Sequence, residues 1–305
     1  MKERYMSIYV SDLNIYPLKS GAGTRVESAN VTRTGFEGDR LAMLVHAEGA
    51  NAGKFITQRD RGCEKLSRLF SYVTRSIDNY ANCIFDTPEG NIWNARLSLH
   101  DDQIIDTKVF ASDCKGYNVG DPEGFLSAYM GFPVNLVLYA SHTPRVVDAA
   151  YGRKGDIVSY ADGMPFLITS EPSLHSLQEQ LPQDVVIGMD RFRPNIVIDG
   201  NLPWEEDVMH HIRIGQVELE IVKPCARCVM TTIDQETGTR GESNEPISTL
   251  TKTRRGKGDG LQGVFFGQNA VPRMLGEICV GDEVRVLSTR PLHKALAETP
   301  LRYGL

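Results

Sequence analysis

The chain has 305 residues, 41% hydrophobic and 24% charged, an ordinary globular composition with enough apolar material for one large domain or two smaller ones. A formal net charge of -6 without a basic stripe excludes a dedicated nucleic-acid binder, though a free base or nucleoside stays open as a substrate. No run approaches the roughly 20 apolar residues that span a bilayer, and no apolar leader core follows Met1-Lys2-Glu3-Arg4-Tyr5, so a cytoplasmic protein with no membrane partner is expected.

In chain order, Ser7 to Leu18 is a β-rich run that ends in a Pro-Leu-Lys-Ser-Gly turn. Leu41 to His46 and Phe55 to Thr57 read as further strands. Glu123 to Met130 reads as a helix with Phe125, Leu126, Tyr129 and Met130 facing inward, and Val134 to Tyr139 as a strand. Glu171 to Leu181 spaces Leu174, Leu177 and Leu181 helically, with Ser170 as N-cap and Pro172 tolerated in the first turn. Asn195 to Ile198, Gln216 to Val222 and Glu283 to Leu287 are strand-like. Gln216 to Val222 alternates most clearly, with Val217, Leu219 and Ile221 on one face and Gln216, Glu218 and Glu220 on the other. Strands outnumber helices and do not alternate regularly with them. The expectation is a β-rich α+β fold, a barrel among the options, and not a doubly wound sheet. A domain boundary is placed in the Gly- and Pro-bearing stretch Gly116 to Glu123, and Thr251 to Gln262, charged and Gly-rich, reads as a mobile surface loop.

Of the six cysteines, only Cys225 and Cys228 are close in sequence; the other four read as small buried hydrophobes. Lys223-Pro224-Cys225-Ala226-Arg227-Cys228 follows the alternating strand, and a guanidinium nearby favours the thiolate that binds soft metals. Alone, the pair is equally compatible with two buried thiols. A zinc site needs more ligands, and His210 and His211, being adjacent, are poorly spaced for joint ligation. Arg193 can fork onto an oxyanion and Asn195 can bond a heterocycle edge, although taken alone the segment is better explained by a structural Arg and a turn Asn. Lys19 and Ser20 in the first turn, Arg40 in Gly38-Asp39-Arg40, and Ser170 at a helix N-terminus are further anion-friendly positions, each with a plain structural alternative. Gly258-Asp259-Gly260-Leu261-Gln262-Gly263 fits a dinucleotide fingerprint in letters only, because no strand precedes it and no helix follows it.

Taken in order, Tyr16-Pro17-Leu18-Lys19-Ser20, Gly38-Asp39-Arg40, Thr57-Gln58-Arg59 and Phe192-Arg193-Pro194-Asn195 resemble the MOSC family, in particular YcbX-type proteins and amidoxime-reducing components. The resemblance continues through Trp204-Glu205-Glu206-Asp207, Cys225-Ala226-Arg227-Cys228 with Thr231-Thr232, Phe266-Gly267-Gln268-Asn269 and Val280-Gly281-Asp282-Glu283-Val284. It implies a β-rich N-terminal MOSC-associated domain over residues 1–118, a MOSC β-barrel domain over 119–290, and a tail over 291–305. It implies a molybdenum cofactor between the two domains, with Cys228 as the catalytic thiolate ligand to the metal. Lys19, Ser20, Arg40, Ser170, Arg193 and Asn195 are then its cofactor-binding residues, and Cys225 has no assigned role.

The implied activity is reduction of N-hydroxylated compounds, N–OH to N–H. YcbX-type relatives can carry a ferredoxin-like domain after the barrel. None follows Ser288 here, so a separate flavin or iron–sulfur protein is expected to supply electrons. Two other readings compete: a carrier or sulfur-transfer module that holds the cofactor without turnover, and a zinc or thiol-redox protein built on Cys225 and Cys228.

Overall fold

The computed structural model describes residues 7–75, 79–241 and 243–297. The opening residues Met1 to Tyr5 and positions 298–305 of the tail lie outside the described residues.

Two packed units share the chain. The first joins a four-stranded antiparallel sheet, in the order Ala42–His46, Val134–Tyr139, Ser112–Gly120, Ile104–Val109, to a meander of Phe70–Arg75, Tyr80–Asp86 and Ile92–Ser98. Alternation explains the meander: Val73, Ala81, Cys83, Phe85 and Trp93 point inward onto Leu44, Leu66 and Leu136, while Phe70, Tyr72 and Ile92 face solvent.

The second unit is a nine-stranded sheet. Its path runs Thr24–Val26, Tyr9–Ile15, Ile196–Asp199, Phe166–Ser170, Leu261–Met274, Val217–Arg227, Met209–Ile214, Val284–Thr289, with Arg255–Gly258 paired to Leu261–Met274 off the path. Only the pairing of Phe166–Ser170 with Ile196–Asp199 is parallel. The sheet curls until Val10 N donates to Asp282 O (2.9 Å) and Gly281 N to Val10 O (2.8 Å), but Tyr9–Glu283 is the one bridge described there. The expected barrel is thus an incompletely closed, curled sheet.

Several local expectations change. Residue 118 falls inside Ser112–Gly120, and the chain leaves that sheet only after Tyr139, so the first unit extends past the expected boundary; its strand Tyr9–Ile15 in turn lies in the second unit's sheet. Gly116 is no linker residue: a Cβ there would meet the Tyr160 hydroxyl and Val137, so the glycine permits close packing. Thr251 to Gln262 is no loose loop. It holds the end of the helix Ile247–Thr253 and a hairpin arm, Arg255–Gly258, held by Leu261–Met274. The alternating strand also continues through Pro224 to Arg227, because Leu261–Met274 escorts it with register shifts at Ile221/Lys223 and Pro224/Ala226. Such a bulge accommodates the missing proline N–H. The other expected helices are shorter, Phe125–Met130 and Glu171–Gln178, and Phe55 makes only an isolated bridge to Val45.

Candidate functional site

A cleft of about 310 Å³ opens where the first unit's turns meet the second unit's sheet. Lys19, Ser20, Arg40, Arg193, Asn195 and Cys228, distant in sequence, all line it. Ser170 does not. Its buried hydroxyl accepts from Ser173 N (3.4 Å) and donates to Asn201 Oδ1 (3.1 Å), which is the plain N-cap role.

The first turn is built around Tyr16. Its ring lies between the guanidinium carbons of Arg40 (4.2 Å) and Arg193 (4.3 Å). Burial pushes its hydroxyl up to about 12, so the ring serves as a neutral platform. Asp39 ties the platform together: both its oxygens accept from Arg40 Nη1 (2.7 and 2.7 Å), and Oδ1 also accepts from Tyr16 N (2.8 Å) and Asn195 Nδ2 (3.1 Å). Asn195 additionally donates to Asn14 O (3.3 Å) and accepts from Leu167 N (3.3 Å). Its amide thus clamps three segments while bordering the cleft.

Ser20, Arg40 and Arg193 sit at φ values of 63°, 50° and 55°. Left-handed backbone at a non-glycine residue costs about 1–3 kcal/mol and persists only where the surroundings over-determine it. Three such residues around one cleft mark a place where side-chain direction outranks local stability. Arg193 is held by Gly21 O (2.7 Å) and Gln235 Oε1 (3.1 Å), and Gln235 in turn bonds Gln58. Burial lowers the Arg193 guanidinium to about 10, still cationic at neutral pH.

Lys19 is buried, and that burial pulls its ammonium down against the attraction of Asp162. It donates to Tyr160 O (2.9 Å) and to Asp162, and lies 5.1 and 5.3 Å from the ring centroids of Phe55 and Phe110. Burial works against charge on Asp162, but Lys19, Arg59 and Arg40 outweigh it and hold the carboxyl down at about 2. Its side chain is still 62% exposed, at the cleft mouth. Arg145, buried in the linking segment, fixes that loop by donating to Ser159 O, Ala161 O and Asp162 O (2.8, 2.6 and 2.6 Å).

Charge in the cleft is unbalanced. Lys19, Arg40, Arg59, Arg191, Arg193, Lys223 and Arg227 line it against the single carboxylate of Asp162. Arg191 pairs outward with Asp234 (2.9 Å). Among the described residues, Arg193, Arg227 and Lys223 have no salt bridge, and the buried Nε atoms of Arg59 and Arg227 have no hydrogen-bond partner. Buried cations without counter-charge are costly, and an arriving anion relieves that cost.

Cys228 directly follows the long strand as a free, half-buried thiol on the cleft wall, its carbonyl accepting from Thr231 N (3.1 Å) and Thr231 Oγ1 (3.0 Å). The guanidinium expected beside the cysteine pair serves Cys225: Arg227 Nη1 reaches Cys225 Sγ (2.9 Å) and Nη2 reaches Phe192 O (2.7 Å). Among the described residues, no group of three or more potential ligands includes either cysteine, which removes the support for a zinc site built on the pair. The donor set fits the cofactor expected from the sequence: cations for a phosphate, a polar wall for a pterin, and two free thiols as soft donors, of which Cys225 is contacted by Arg227.

Asp162, Lys223 and Tyr16 were absent from the expected site residues. Tyr16, Arg59, Arg191 and Arg227 stand in or beside the segments that carry the family resemblance, so a signal for them existed; Ser159-Tyr160-Ala161-Asp162 carried none.

The MOSC N-terminal beta barrel domain model matches residues 7–133 and the MOSC domain model residues 155–285. The mitochondrial amidoxime-reducing component 1 of Danio rerio is 30% identical over 284 residues, covering 90% of this chain and 83% of its own; that of Homo sapiens is 31% identical over 300 residues, covering 91% and 82%. The molybdenum cofactor sulfurase of Drosophila grimshawi is 29% identical over 284 residues, covering 90% of this chain but 34% of its own. The chain belongs to the MOSC family, whose domain binds the molybdenum cofactor.

Proposed function

We propose that this protein reduces N-hydroxylated compounds, N–OH to N–H, with a molybdenum cofactor held in the cleft and Cys228 as the protein ligand to the metal. One observation carries the reading: among the described residues, Cys225 and Cys228 are the free thiols on the wall of a cavity with surplus cations. The names of the two amidoxime-reducing relatives support the reaction class.

When bound, the cofactor supplies the two-electron chemistry. The chain's own residues do the rest. Lys19, Arg40, Arg59 and Arg193 form a preset anion seat, rigid because each leans on an aromatic ring. Asn195 keeps that seat in register. Phe192, Met164 and Leu167 line the cleft between the cations and limit water around the reacting group. Asp162, ionised at neutral pH, holds Lys19 and Arg59 at the mouth of the cleft. Replacing N–OH by N–H consumes two electrons and two protons and releases water. The electrons come from a separate flavin or iron–sulfur protein.

Turnover tests the reading: purified, cofactor-loaded protein with a chemically reduced donor and an amidoxime yields the amidine. The sulfurase relative favours a second reading, a carrier that transfers cofactor without turnover. Transfer to an empty acceptor enzyme without amidine formation supports the carrier and contradicts the reductase.

A further inference from the structure

The outer face of the main sheet brings together two histidines that sequence spacing sets on opposite faces. Successive strand side chains alternate, so His210 and His211 should diverge. The pairing of Met209–Ile214 with Val284–Thr289 slips register at Met209/His211 and again at His211/Ile212. That irregularity re-aims one side chain, as bulges do. The two rings lie 4.4 Å apart, edge to face, and both Nε2 atoms approach one oxygen, Glu220 Oε1, at 3.5 and 3.7 Å. Glu220 stands directly across the ladder from His211.

We propose that His210, His211 and Glu220 form a site for a divalent transition-metal ion, with zinc as its reference ligand. The distances are long for hydrogen bonds, which cluster at about 2.7–3.2 Å. They suit the edges of a tetrahedron: with metal–ligand bonds of about 2.0–2.1 Å, neighbouring donors stand about 3.3–3.4 Å apart. All three donor atoms lie within 4.8 Å of one another, and all three residues keep partial solvent access, so an ion can enter and retain water. The outer shell is in place. Glu220 Oε2 accepts from Arg273 Nε (2.6 Å) and pairs with Arg153 (2.9 Å), which fixes the carboxylate and aims Oε1 at the imidazoles. Arg273 is itself anchored on Asp156 (2.6 and 3.0 Å). The nearby Arg153, Arg273 and Arg290 oppose a second positive charge, so the site favours ions that bond imidazole strongly, zinc, copper or nickel, over calcium or magnesium. Glu220 stands eight residues before Cys228, roughly 25 Å along an extended strand, and the site is independent of the cleft.

The test titrates purified protein with Zn2+ by calorimetry and with Co2+ by optical spectroscopy, in wild type, His210→Ala, His211→Ala and Cys228→Ser. The expected result is one ion per chain, no sulfur-to-cobalt band, binding retained in Cys228→Ser, and binding weakened about 100-fold or more in each histidine variant, since even outer-shell losses cost about 10–100-fold. If a histidine variant misfolds, wild-type protein followed by histidine NMR decides: stoichiometric Zn2+ should shift the His210 and His211 ring signals and leave His46 and His142 unmoved. Equal affinity in the histidine variants, dependence on Cys228, or no shift of those two rings overturns the site and leaves a simple histidine–carboxylate ion pair.

Discussion

Two clusters of buried charge can be compared. In the cleft, cations outnumber carboxylates, and the buried guanidinium Nε atoms of Arg59 and Arg227 lack partners. Behind it, Arg254 and Asp207, both fully buried, face each other at 2.8 Å, Gln268 donates to the same carboxylate, and Arg254 lies 4.3 Å from the Trp204 ring. Beside them burial, then the charge of Asp207, raises Glu206 to about 8, and its carboxyl accepts from Ser173 Oγ (2.8 Å). The sealed cluster balances its charge within itself. The cleft keeps an excess that only an incoming anion can satisfy. Burial of charge alone therefore does not mark a function; its imbalance, next to solvent, does.

The largest expected effect falls on the sealed cluster. Arg254→Met strands Asp207 and should cost about 3–5 kcal/mol, read as a lower urea midpoint with unchanged slope. If it costs under about 1 kcal/mol, the two clusters do not differ as described. Arg59→Gln, in the cleft, should do the opposite, changing stability by less than about 1 kcal/mol while molybdenum and pterin content falls several-fold.

A smaller effect concerns pH. The folded pKa of Glu206 lies above its unfolded value, so its contribution is complete below the unfolded pKa and is lost as pH rises towards about 8. Wild type should lose stability relative to Glu206→Gln between about pH 5 and 8, at no more than about 1.4 kcal/mol per pH unit. Parallel curves would mean that Glu206 is ionised in the fold. Asp162 behaves inversely: its depressed pKa stabilises above the unfolded value, and that contribution disappears as pH falls through about 2. Asp162→Asn should flatten only that acid limb, and a changed slope near neutrality would contradict the assignment.

The sequence was most legible where one face is apolar. Val217, Leu219 and Ile221 announce their strand, and Ser170 announces its helix cap. The strands between 70 and 120 went unread, because small and polar residues such as Asn82, Asn94 and Gly116 dilute their alternation, and their pairing partners supply what local propensity does not. The cleft residues were legible through ordered family segments. Asp162 was not, since its position depends on Arg145 gripping carbonyls 14 to 17 residues away. The convergence of His210 and His211 on Glu220 was illegible for a similar reason: a bulge is set by the neighbouring strand.

Molybdenum and pterin content of Cys228→Ser, made in a host that supplies the cofactor and compared with wild type and Cys225→Ser, tests the assignment of Cys228 most directly. The expected result is stoichiometric molybdenum in wild type and Cys225→Ser, and lost molybdenum or altered ligation in Cys228→Ser with the fold intact. Equal molybdenum and unchanged ligation in Cys228→Ser, or no molybdopterin in wild type despite ample supply, would contradict it.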